Sequence, residues 1–408
     1  MTKTMSSRDR LLAALRCDTP DHVPLAFMIF TALADRLRQQ GRGHDPTASV
    51  EAQLELGLDA VVDLTWFSPQ AEETGHADTP GLPVRFAPQV RTRQWAQVRQ
   101  DHPYPVLHRE YATPAGTTVV AVDQTDDWPY GEVASGDFRV PFMDDYLAPR
   151  CSRYLVQTRD DLAVLRHLLV PPSAADLKIS RQAWEQGRKL ARRHDLLLAG
   201  GWGVGGDALA WFCGLQQAVL IALDQPEFFA ELLGLVAAWN RPRMQAFLDF
   251  GVDLFIRRAW YEGVDFWSPT LFRRFFFPIL REEVDLAHQA GARYGYILTS
   301  GSMPLHDQLL ELGIDVLIGP DPVQGKGTHL GKMAAQLRGR MCTWGGVNGF
   351  VTTELGAKEE IDTAVRAAVE ILGPGGFILS PVDNVRDPSD RVWENVRSLI
   401  EAWKRYRG

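Results

Sequence analysis

The sequence predicts an α/β fold, a TIM-type (β/α)8 barrel with a β-rich insertion after its second strand. Between residues 294 and 384, four short apolar runs each end at a sharp break rich in Gly, Pro or Ser, and a helical pattern separates each run from the next. Four further apolar runs, largely alternating with helical patterns, precede them. Buried strands that alternate with helices are typical of a parallel sheet, and eight parallel strands close into a barrel.

The elements follow one another along the chain in an order that suits this fold. The first is a helix that ends at Arg16 and has Ser6 or Ser7 as its N-cap. The predicted strands are residues 23–30, 60–63, 196–199, 254–257, 296–298, 316–318, 342–344 and 377–379. The predicted helices after the first are residues 32–40, 47–56, 159–168, 175–193, 207–223, 227–250, 269–290, 305–312, 329–337, 358–371 and 392–406.

Residues 68–149 differ in character from the rest of the chain. Prolines, glycines and alternating polar and apolar residues dominate there. Residues 109–112 and 117–122 read as the two strands of an antiparallel hairpin about a turn at 113–116. We predict that this segment is an insertion covering one end of a single barrel domain that spans residues 1–408. A small independent β-domain is the alternative.

Composition limits the class of protein. The chain has 408 residues, 45% of them hydrophobic, with a net charge of −8 and a pI of about 5.7. That balance argues against nucleic acid and anionic membrane as partners, since both recruit Lys- and Arg-rich surfaces. No run approaches the roughly twenty apolar residues of a membrane span. The four cysteines are far apart and form no CxxC, which argues against a disulfide framework and a thiolate zinc site. The sequence therefore predicts a cytoplasmic protein.

The ends of the predicted strands carry most of the residues capable of chemistry. In a parallel barrel, the loops that leave the carboxyl ends of the strands gather on one face, where ligands bind. The residues at these positions are Asp63, Trp66, Trp202, Arg258, Trp260, Tyr261, Ser300, Asp321, Trp344, Asn348, Asp383 and Asn384.

The aromatic members of this set predict a pocket. Trp66, Trp202, Trp260, Tyr261 and Trp344 all fall at or just past a strand end. Several aromatic rings at one mouth suit an aromatic or methylammonium substrate. The alternative is that each ring packs in the barrel core, which is the commoner role of a tryptophan in a barrel.

The charged members predict acid–base or anion-binding chemistry. Asp63, Asp321 and Asp383 could each act as a general base, a metal ligand or the partner of a cation, with loop capping as the alternative. Asp383 has the strongest case because residues 380–384 bend sharply. Arg257 and Arg258 could bind a carboxylate, and a buried structural ion pair is the competing interpretation.

Two other motifs invite a functional interpretation and a structural one. Gly201, Gly203 and Gly206 match G-x-G-x-x-G after a strand, which is the pattern of a dinucleotide site. A second helix follows where that site needs a strand, so a close-packed turn is favoured. His306 could point into the pocket, although none of the ten histidines has metal-ligand spacing.

Several segments resemble the uroporphyrinogen decarboxylase superfamily. Residues 8–16 (RDRLLAALR) and 19–24 (TPDHVP) look like its start, residues 312–315, 344–347 and 375–380 match it, and residues 111–117 (YATPAGT) are similar to its methyltransferase branch. The resemblance covers essentially the whole chain. It implies a (β/α)8 barrel, a site at the strand carboxyl ends and a homodimer.

The active-site residues of both arms of that superfamily are altered here. The decarboxylase arm is expected to bind a tetrapyrrole with arginines after the first strand, but residues 27–31 read Phe-Met-Ile-Phe-Thr. Uroporphyrinogen is therefore not the expected substrate. The methyltransferase arm implies a zinc held by His-x-Cys after strand five and Cys after the last strand. By alignment this chain has Leu298, Ser300 and Asp383 there, so no metal is predicted by that motif and only Asp383 remains a candidate ligand.

The resulting prediction is a methyltransferase- or demethylase-like enzyme for a small methylated or aromatic compound, with a corrinoid protein as the partner that the resemblance implies. Asp383 is the predicted catalytic acid or base, Ser300 and Asn384 polarise the substrate, and Arg258 holds a carboxylate. Asp63, Asn348 and the aromatic residues line the pocket. The alternatives are a cofactor-independent decarboxylase or lyase, and a non-catalytic small-molecule or corrinoid-binding protein.

Overall fold

Seven parallel strands form one sheet in the computed structural model, which describes residues 4–42, 45–68 and 84–408. The described strands are β1 (Val61–Asp63), β2 (Arg91–Gln97), β3 (Val106–Thr113), β4 (Gly116–Asp123), β5 (Gly131–Glu132), β6 (Asp137–Phe138), β7 (Cys151–Arg153), β8 (Leu197–Gly203), β9 (Leu254–Arg258), β10 (Arg293–Ile297), β11 (Val316–Ile318), β12 (Cys342–Asn348) and β13 (Phe377–Val382). The parallel sheet has the order β1-β8-β9-β10-β11-β12-β13. These are the strands predicted from the four last apolar runs and from three of the four earlier ones.

The segment around Leu25 supplies the eighth position and closes the sheet into a barrel. Leu25 pairs in parallel with Leu379 of β13, and the Ala26 amide donates to the Leu379 carbonyl at 3.1 Å. On its other side, the Leu25 carbonyl accepts from the Asp59 amide at 2.9 Å, just before β1. The strand predicted at residues 23–30 is therefore in the predicted place, but its regular pairing is reduced to a bridge. The (β/α)8-type barrel is confirmed.

Helices connect the strands. Their bounds are Ser7–Leu15, Thr31–Gln39, Pro46–Glu55, Asp161–Leu168, Ala174–His194, Gly206–Phe212, Leu215–Asp224, Pro226–Phe250, Pro269–Leu271, Phe277–Gln289, His306–Leu312, Leu330–Leu337, Lys358–Leu372 and Asp390–Tyr406. The side chain of Ser6 caps the first helix by accepting from the Asp9 amide.

Two predicted helices are broken, each for a local reason. The helix predicted at 207–223 stops at Phe212 and restarts at Leu215, because Gly214 has a left-handed backbone (φ 73°) and a Cβ there would lie 2.7 Å from the Tyr154 ring. The helix predicted at 269–290 widens into a π-helical turn over Phe272–Phe276. Pro278 follows that turn, and a proline lacks the amide that a regular helix needs four residues after its acceptor.

Apolar side chains fill the interior of the barrel. The interior cluster is Leu11, Ala14, Leu15, Ala26, Leu197, Ala199, Leu254, Ile256, Ile297, Val316, Ile318, Cys342, Trp344 and Ile378. A second cluster lies between the sheet and the last two helices, and includes Val347, Val365, Leu379 and Leu399. Burying one such Leu or Ile side chain contributes about 1.5–3 kcal/mol.

The described residues fall into two compact units. The first lies within Met1–Phe67, Arg181–Trp202 and Gln245–Gly408 and contains the barrel sheet. The second lies within Ser68–Ser180 and Gly203–Met244. It contains the antiparallel sheet β2-β3-β4-β7 and the two-stranded sheet β5-β6, and its β3–β4 hairpin is the hairpin predicted from the sequence. That the insertion belongs to one domain and covers one end of the barrel stays a prediction.

In the part of the chain that the structure describes, no single helix is both long and apolar enough to cross a membrane. One bent pair, Gly206–Phe212 with Leu215–Asp224, reaches that threshold by length and composition alone. All four cysteines are free.

His22 in the first unit makes stability depend on pH. Burial, together with the nearby charges of Arg10 and Arg407, lowers the pKa of His22 from 6.5 to about 4. Above pH 6.5 the residue is neutral in both states. Between pH 6.5 and 4 the unfolded chain binds a proton that the folded chain refuses, so stability falls as the pH falls. We expect a loss of about 1 kcal/mol between pH 7 and pH 5 after solvent screening.

Urea denaturation at the two pH values measures this loss. The buried His306 also has a lowered pKa, so the wild type loses stability through more than one histidine. His22→Gln removes one contribution and should make the loss smaller. An identical loss in the variant and the wild type would show that His22 titrates normally.

Candidate active site at the carboxyl end of the barrel

Asp63 and Arg258 point into the barrel at its carboxyl end. Asp63 pairs with Ala199 in the neighbouring strand, and Arg258 pairs with Ile297. Ala199 and Ile297 both belong to the interior cluster. Because paired residues of adjacent strands face the same side of a sheet, the Asp63 and Arg258 side chains lie in the interior layer where strands β1 and β9 end.

The Trp202 side chain reaches the same layer through an unusual backbone. Gly201 and Trp202 both have positive φ values, 140° and 56°. A Cβ on Gly201 would lie 2.4 Å from the Ile256 carbonyl, so the close packing requires glycine. A left-handed conformation at a bulky residue costs on the order of 1–3 kcal/mol and is concentrated at functional sites. Here it interrupts the strand alternation and turns the indole toward Asp63.

Three tryptophans form a continuous ladder, which we call the Trp ladder: Trp66, Trp202 and Trp260. The Trp66 and Trp202 rings meet edge to face with centroids 5.5 Å apart, and the Trp202 and Trp260 centroids are 5.8 Å apart. Trp202 in the middle of the ladder is buried, whereas Trp66 at one end is 44% exposed and Trp260 at the other end is partly buried. The predicted association of these three residues is thus observed, and their role in binding stays a prediction.

Asp63 lies against the middle of the Trp ladder. Its Oδ2 accepts the indole N–H of Trp202 at 2.9 Å, and its Oδ1 accepts the Thr65 amide at 2.9 Å. Burial raises the pKa of the Asp63 carboxyl above its ordinary value, although the hydrogen bonds from Thr65 and Trp202 lower it in part. Asp63 therefore keeps its proton to a higher pH than a solvent-exposed aspartate does.

Arg258 lies at the other end of the same group. Its guanidinium carbon is 4.7 Å from the centre of the Trp260 ring and 5.9 Å from that of Trp202, and the residue is 7% exposed. The flat guanidinium over an aromatic face is a cation–π contact. Arg257 points to the opposite face of β9 and forms ion pairs with Glu262 and Glu283. Arg257 therefore takes the role of a buried ion pair, and carboxylate binding by Arg258 stays a prediction.

Other predicted pocket residues make different contacts. Trp344 belongs to the interior cluster, and its indole donates to the Ala26 carbonyl at 2.9 Å. The Tyr261 ring packs on Phe266, with the centroids 5.8 Å apart. Asn348 is buried, its amide donates to Asp321 Oδ2 at 2.6 Å, and its carbonyl accepts amides of the π-helical segment Gly349–Glu354. These contacts give Trp344 a packing role and Asn348 a capping role.

The predicted catalytic residues after β10 and β13 have protein partners. Ser300 Oγ accepts the Lys326 amide at 3.0 Å. The Asn384 side chain makes two hydrogen bonds with Thr31. It accepts from the Thr31 backbone amide at 3.1 Å and donates to the Thr31 hydroxyl at 2.9 Å. Asp383 has a positive φ of 67° and pairs with Arg386 at 3.0 Å. Their assignment to catalysis stays a prediction.

A zinc ion does not fit the positions that the resemblance implies. Leu298 is fully buried and cannot ligate, the Ser300 hydroxyl is engaged by the Lys326 amide, and Asp383 is paired with an arginine. Across residues 4–42, 45–68 and 84–408, no group of three or more His, Cys, Asp or Glu side chains is placed to hold a metal ion.

The two ambiguous motifs are structural in their described contacts. In the glycine motif, Gly201 packs against the β9 backbone. His306 is buried on a helix, and its Nδ1 lies 2.6 Å from Gln336 Oε1.

Sequence reasoning missed Thr65, whose Oγ1 accepts the Gly201 amide at 3.2 Å and so ties the turn after β1 to the start of the Trp202 turn. The Asp63-x-Thr65 spacing, typical of an Asx turn, was the signal.

Comparisons with known proteins agree with this geometry at the level of fold. A family model described as uroporphyrinogen decarboxylase (URO-D) matches residues 145–406. A methyltransferase from Methanosarcina mazei is similar with a TM-score of 0.56 and 16% identity, covering 98% of this chain and 99% of that one. A B12-independent methionine synthase from Shewanella sp. W3-18-1, in complex with selenomethionine, has a TM-score of 0.48, 10% identity and coverages of 93% and 96%. A comparison with curated proteins finds no match.

Proposed function

This chain belongs to the uroporphyrinogen decarboxylase family, and on that premise we propose that it is a methyltransferase-like enzyme that demethylates a small aromatic carboxylic acid. The observation that carries the proposal is the continuous group formed by Asp63, the Trp ladder and Arg258. An aromatic body would lie along the indoles, and a carboxylate would pair with the guanidinium.

The charges of this group favour one of the two substrate classes that the aromatic residues suggested. A quaternary ammonium ion binds an aromatic cage because the ring faces are negative. Here Arg258 already places a cation over two of those faces, and Asp63 holds a proton more readily than usual. Those two ring faces are therefore already in contact with a cation, and the guanidinium beside them offers N–H donors that suit a carboxylate. An aromatic carboxylate is therefore the favoured ligand.

Demethylation gives each residue a definite part. When a methyl group leaves an oxygen or nitrogen for a nucleophilic acceptor, the bond from carbon to the heteroatom breaks, a bond from carbon to the acceptor forms, and the heteroatom retains the electron pair. It then needs a proton, which the Asp63 carboxyl can donate. Arg258 would hold the carboxylate end of the substrate. A corrinoid carried by a partner protein is the acceptor that the resemblance implies.

Methyl transfer is preferred over decarboxylation for two reasons. Residues 111–117 resemble the methyltransferase branch, and the methyltransferase from Methanosarcina mazei shares the fold along nearly its full length. The arginines expected of a tetrapyrrole decarboxylase are absent after the first strand. A cofactor-independent lyase remains the second candidate, because an arginine that holds a carboxylate would serve that reaction also.

Binding and turnover of a matched ligand panel test the proposal. We expect methoxybenzoates to bind the wild type and the corresponding neutral amides to bind at least tenfold more weakly. Arg258→Met should weaken carboxylate binding by about 10- to 100-fold, the usual loss when a charge-assisted hydrogen bond is removed, and should leave amide binding nearly unchanged. Isothermal titration calorimetry measures both.

Mass spectrometry of the same ligands, incubated with and without a corrinoid protein, separates the candidate functions. A demethylated acid supports methyl transfer. Loss of carbon dioxide supports the lyase. A ligand that binds and returns unchanged under both conditions supports a carrier and contradicts the proposed reaction. Equal affinity for acids and amides would contradict the role given to Arg258.

A further inference from the structure

A buried network lies on the outer face of β9 and β10, directly behind the candidate site. Arg257 Nη2 is 2.6 Å from Glu262 Oε1, and Arg257 Nη1 is 2.7 Å from Glu283 Oε1. The Tyr296 hydroxyl donates to Glu262 Oε2 at 2.6 Å, and the Tyr294 hydroxyl donates to Glu283 Oε2 at 2.6 Å. One guanidinium thus holds two carboxylates, and a tyrosine of β10 holds the other oxygen of each.

All members of this network are buried, so its hydrogen bonds are strong and its geometry is restrained. Burial raises the pKa of Tyr294 and of Tyr296 well above the ordinary value, so both remain hydroxyl donors. Each carboxylate has both oxygens bonded within the described contacts. A carboxylate bonded at both ends cannot rotate without breaking a bond in a water-poor environment.

The two branches of the network lead to different places. Glu283 lies on the helix Phe277–Gln289, which packs outside the barrel. Glu262 lies on the loop after β9, close in sequence to Arg258 and Trp260. The Arg257–Glu262 ion pair therefore joins the two ends of the short segment that carries both site residues.

That segment is also bonded to the neighbouring loop. The Val264 amide donates to the Gly301 carbonyl at 3.0 Å, and a Cβ on Gly263 would lie 2.5 Å from the Ser300 carbonyl. The loop after β9 therefore packs directly on the loop after β10. A shift of Glu262 would move Arg258 and Trp260 because little backbone lies between them.

We infer that the Tyr296–Glu262 branch is a positioning device that fixes Arg258 and Trp260 in the orientation needed for ligand binding, whereas the Tyr294–Glu283 branch serves stability alone. Glu262 and Tyr296 are positioning residues that act through Arg258 and Trp260. The inference rests on the proposed function only in assigning those two residues to the ligand.

A matched pair of variants tests the inference without any ligand. Tyr296→Phe and Tyr294→Phe each remove the hydroxyl that donates to one of the two carboxylates paired with Arg257. We expect both variants to lower Tm by a similar few degrees. The protein is labelled with 5-fluorotryptophan, and the Trp260 resonance is assigned with Trp260→Phe. In the fluorine spectrum, the Trp260 resonance should shift or broaden in Tyr296→Phe and stay at its wild-type position in Tyr294→Phe.

A second matched pair covers the case in which a tyrosine variant fails to fold. Glu262→Gln and Glu283→Gln keep the size of each side chain and remove one charge from each branch. The Trp260 resonance should move in Glu262→Gln and not in Glu283→Gln. The inference would be overturned if the Trp260 resonance stays fixed in the variants of Tyr296 and Glu262. It would also be overturned if the resonance moves equally in the variants of both branches.

Ligand affinity then separates this inference from the proposed function. If methoxybenzoates bind the wild type, Tyr296→Phe should weaken their binding about tenfold, and Tyr294→Phe should weaken it less than twofold. If no carboxylate binds the wild type while the Trp260 resonance moves only in the Glu262 branch, the positioning device stands and the proposed substrate class fails.

Discussion

Asp63→Asn is expected to lower the turnover of a methylated aromatic acid by about 10²- to 10⁴-fold, the usual contribution of a general acid. Asparagine keeps the size of the side chain and can still accept the Trp202 indole N–H, but it has no proton of suitable acidity to give. Affinity for the substrate should therefore change by only a few fold. Single-turnover kinetics and calorimetry measure the two effects separately.

The pH dependence of turnover gives a second test of the same role. Burial raises the pKa of Asp63. A general acid works only while it is protonated, so the wild-type rate should fall as the pH rises through that raised pKa. The residual rate of Asp63→Asn should lack that fall. A wild-type rate that instead rises across the same pH range would indicate a general base.

Asp383→Asn is the matched comparison for Asp63→Asn, because Asp383 was the acid predicted from the sequence. Asparagine tolerates the left-handed backbone at this position, whereas alanine would add strain to any catalytic effect. If Asp63 is the acid, Asp383→Asn should retain most of the activity. A loss in Asp383→Asn with full activity in Asp63→Asn would return the catalytic role to Asp383.

Arg257→Met is expected to lower the free energy of unfolding by about 3–5 kcal/mol, the usual cost of removing one partner from a buried ion pair. The reason is that Glu262 and Glu283 would remain buried after losing the cation that both of them contact. Urea denaturation with an unchanged m-value measures the loss.

Two controls show whether the loss comes from the stranded carboxylates. Arg257→Lys keeps a positive charge at the same position beside Glu262 and Glu283, so its cost should be smaller than that of Arg257→Met. The triple variant Arg257→Met, Glu262→Gln, Glu283→Gln removes all three charges and should recover much of the lost stability, since a neutral buried group costs less than an unpaired charge. A triple variant as unstable as Arg257→Met would indicate lost packing instead.

The barrel could be predicted because its signals are local and repeated. Each strand is a short apolar run with a sharp break after it, and a parallel sheet buries such runs on both faces. The points at which the structure departs from the predicted helices also have local causes. The helix break at Gly214 depends on a left-handed residue packed against Tyr154, and a run of helix-forming residues gives no sign of that contact.

The candidate site could be predicted only in part. Strand-end placement identified Asp63, Trp66, Trp202, Trp260 and Arg258, and the structure brings these residues together. The same rule also selected Trp344, Asn348 and Asn384, whose described contacts are with the barrel interior, a helical turn and Thr31. Position in the chain indicates which end of the barrel a residue occupies. It does not indicate whether the side chain is already used by a structural partner.

The sequence by itself determined the barrel and its family, because strand periodicity and segment resemblance need no long-range contact to be recognised. It also predicted the end of the sheet at which the candidate site lies. Only the tertiary structure decided which neighbour in Arg257–Arg258 faces the site and which faces the buried network. Adjacent residues on a strand point to opposite faces, so a difference of one residue in register reverses the assignment. The left-handed turn at Trp202 was decided in the same way, by close packing of Gly201 on β9 and by the hydrogen bond to Asp63.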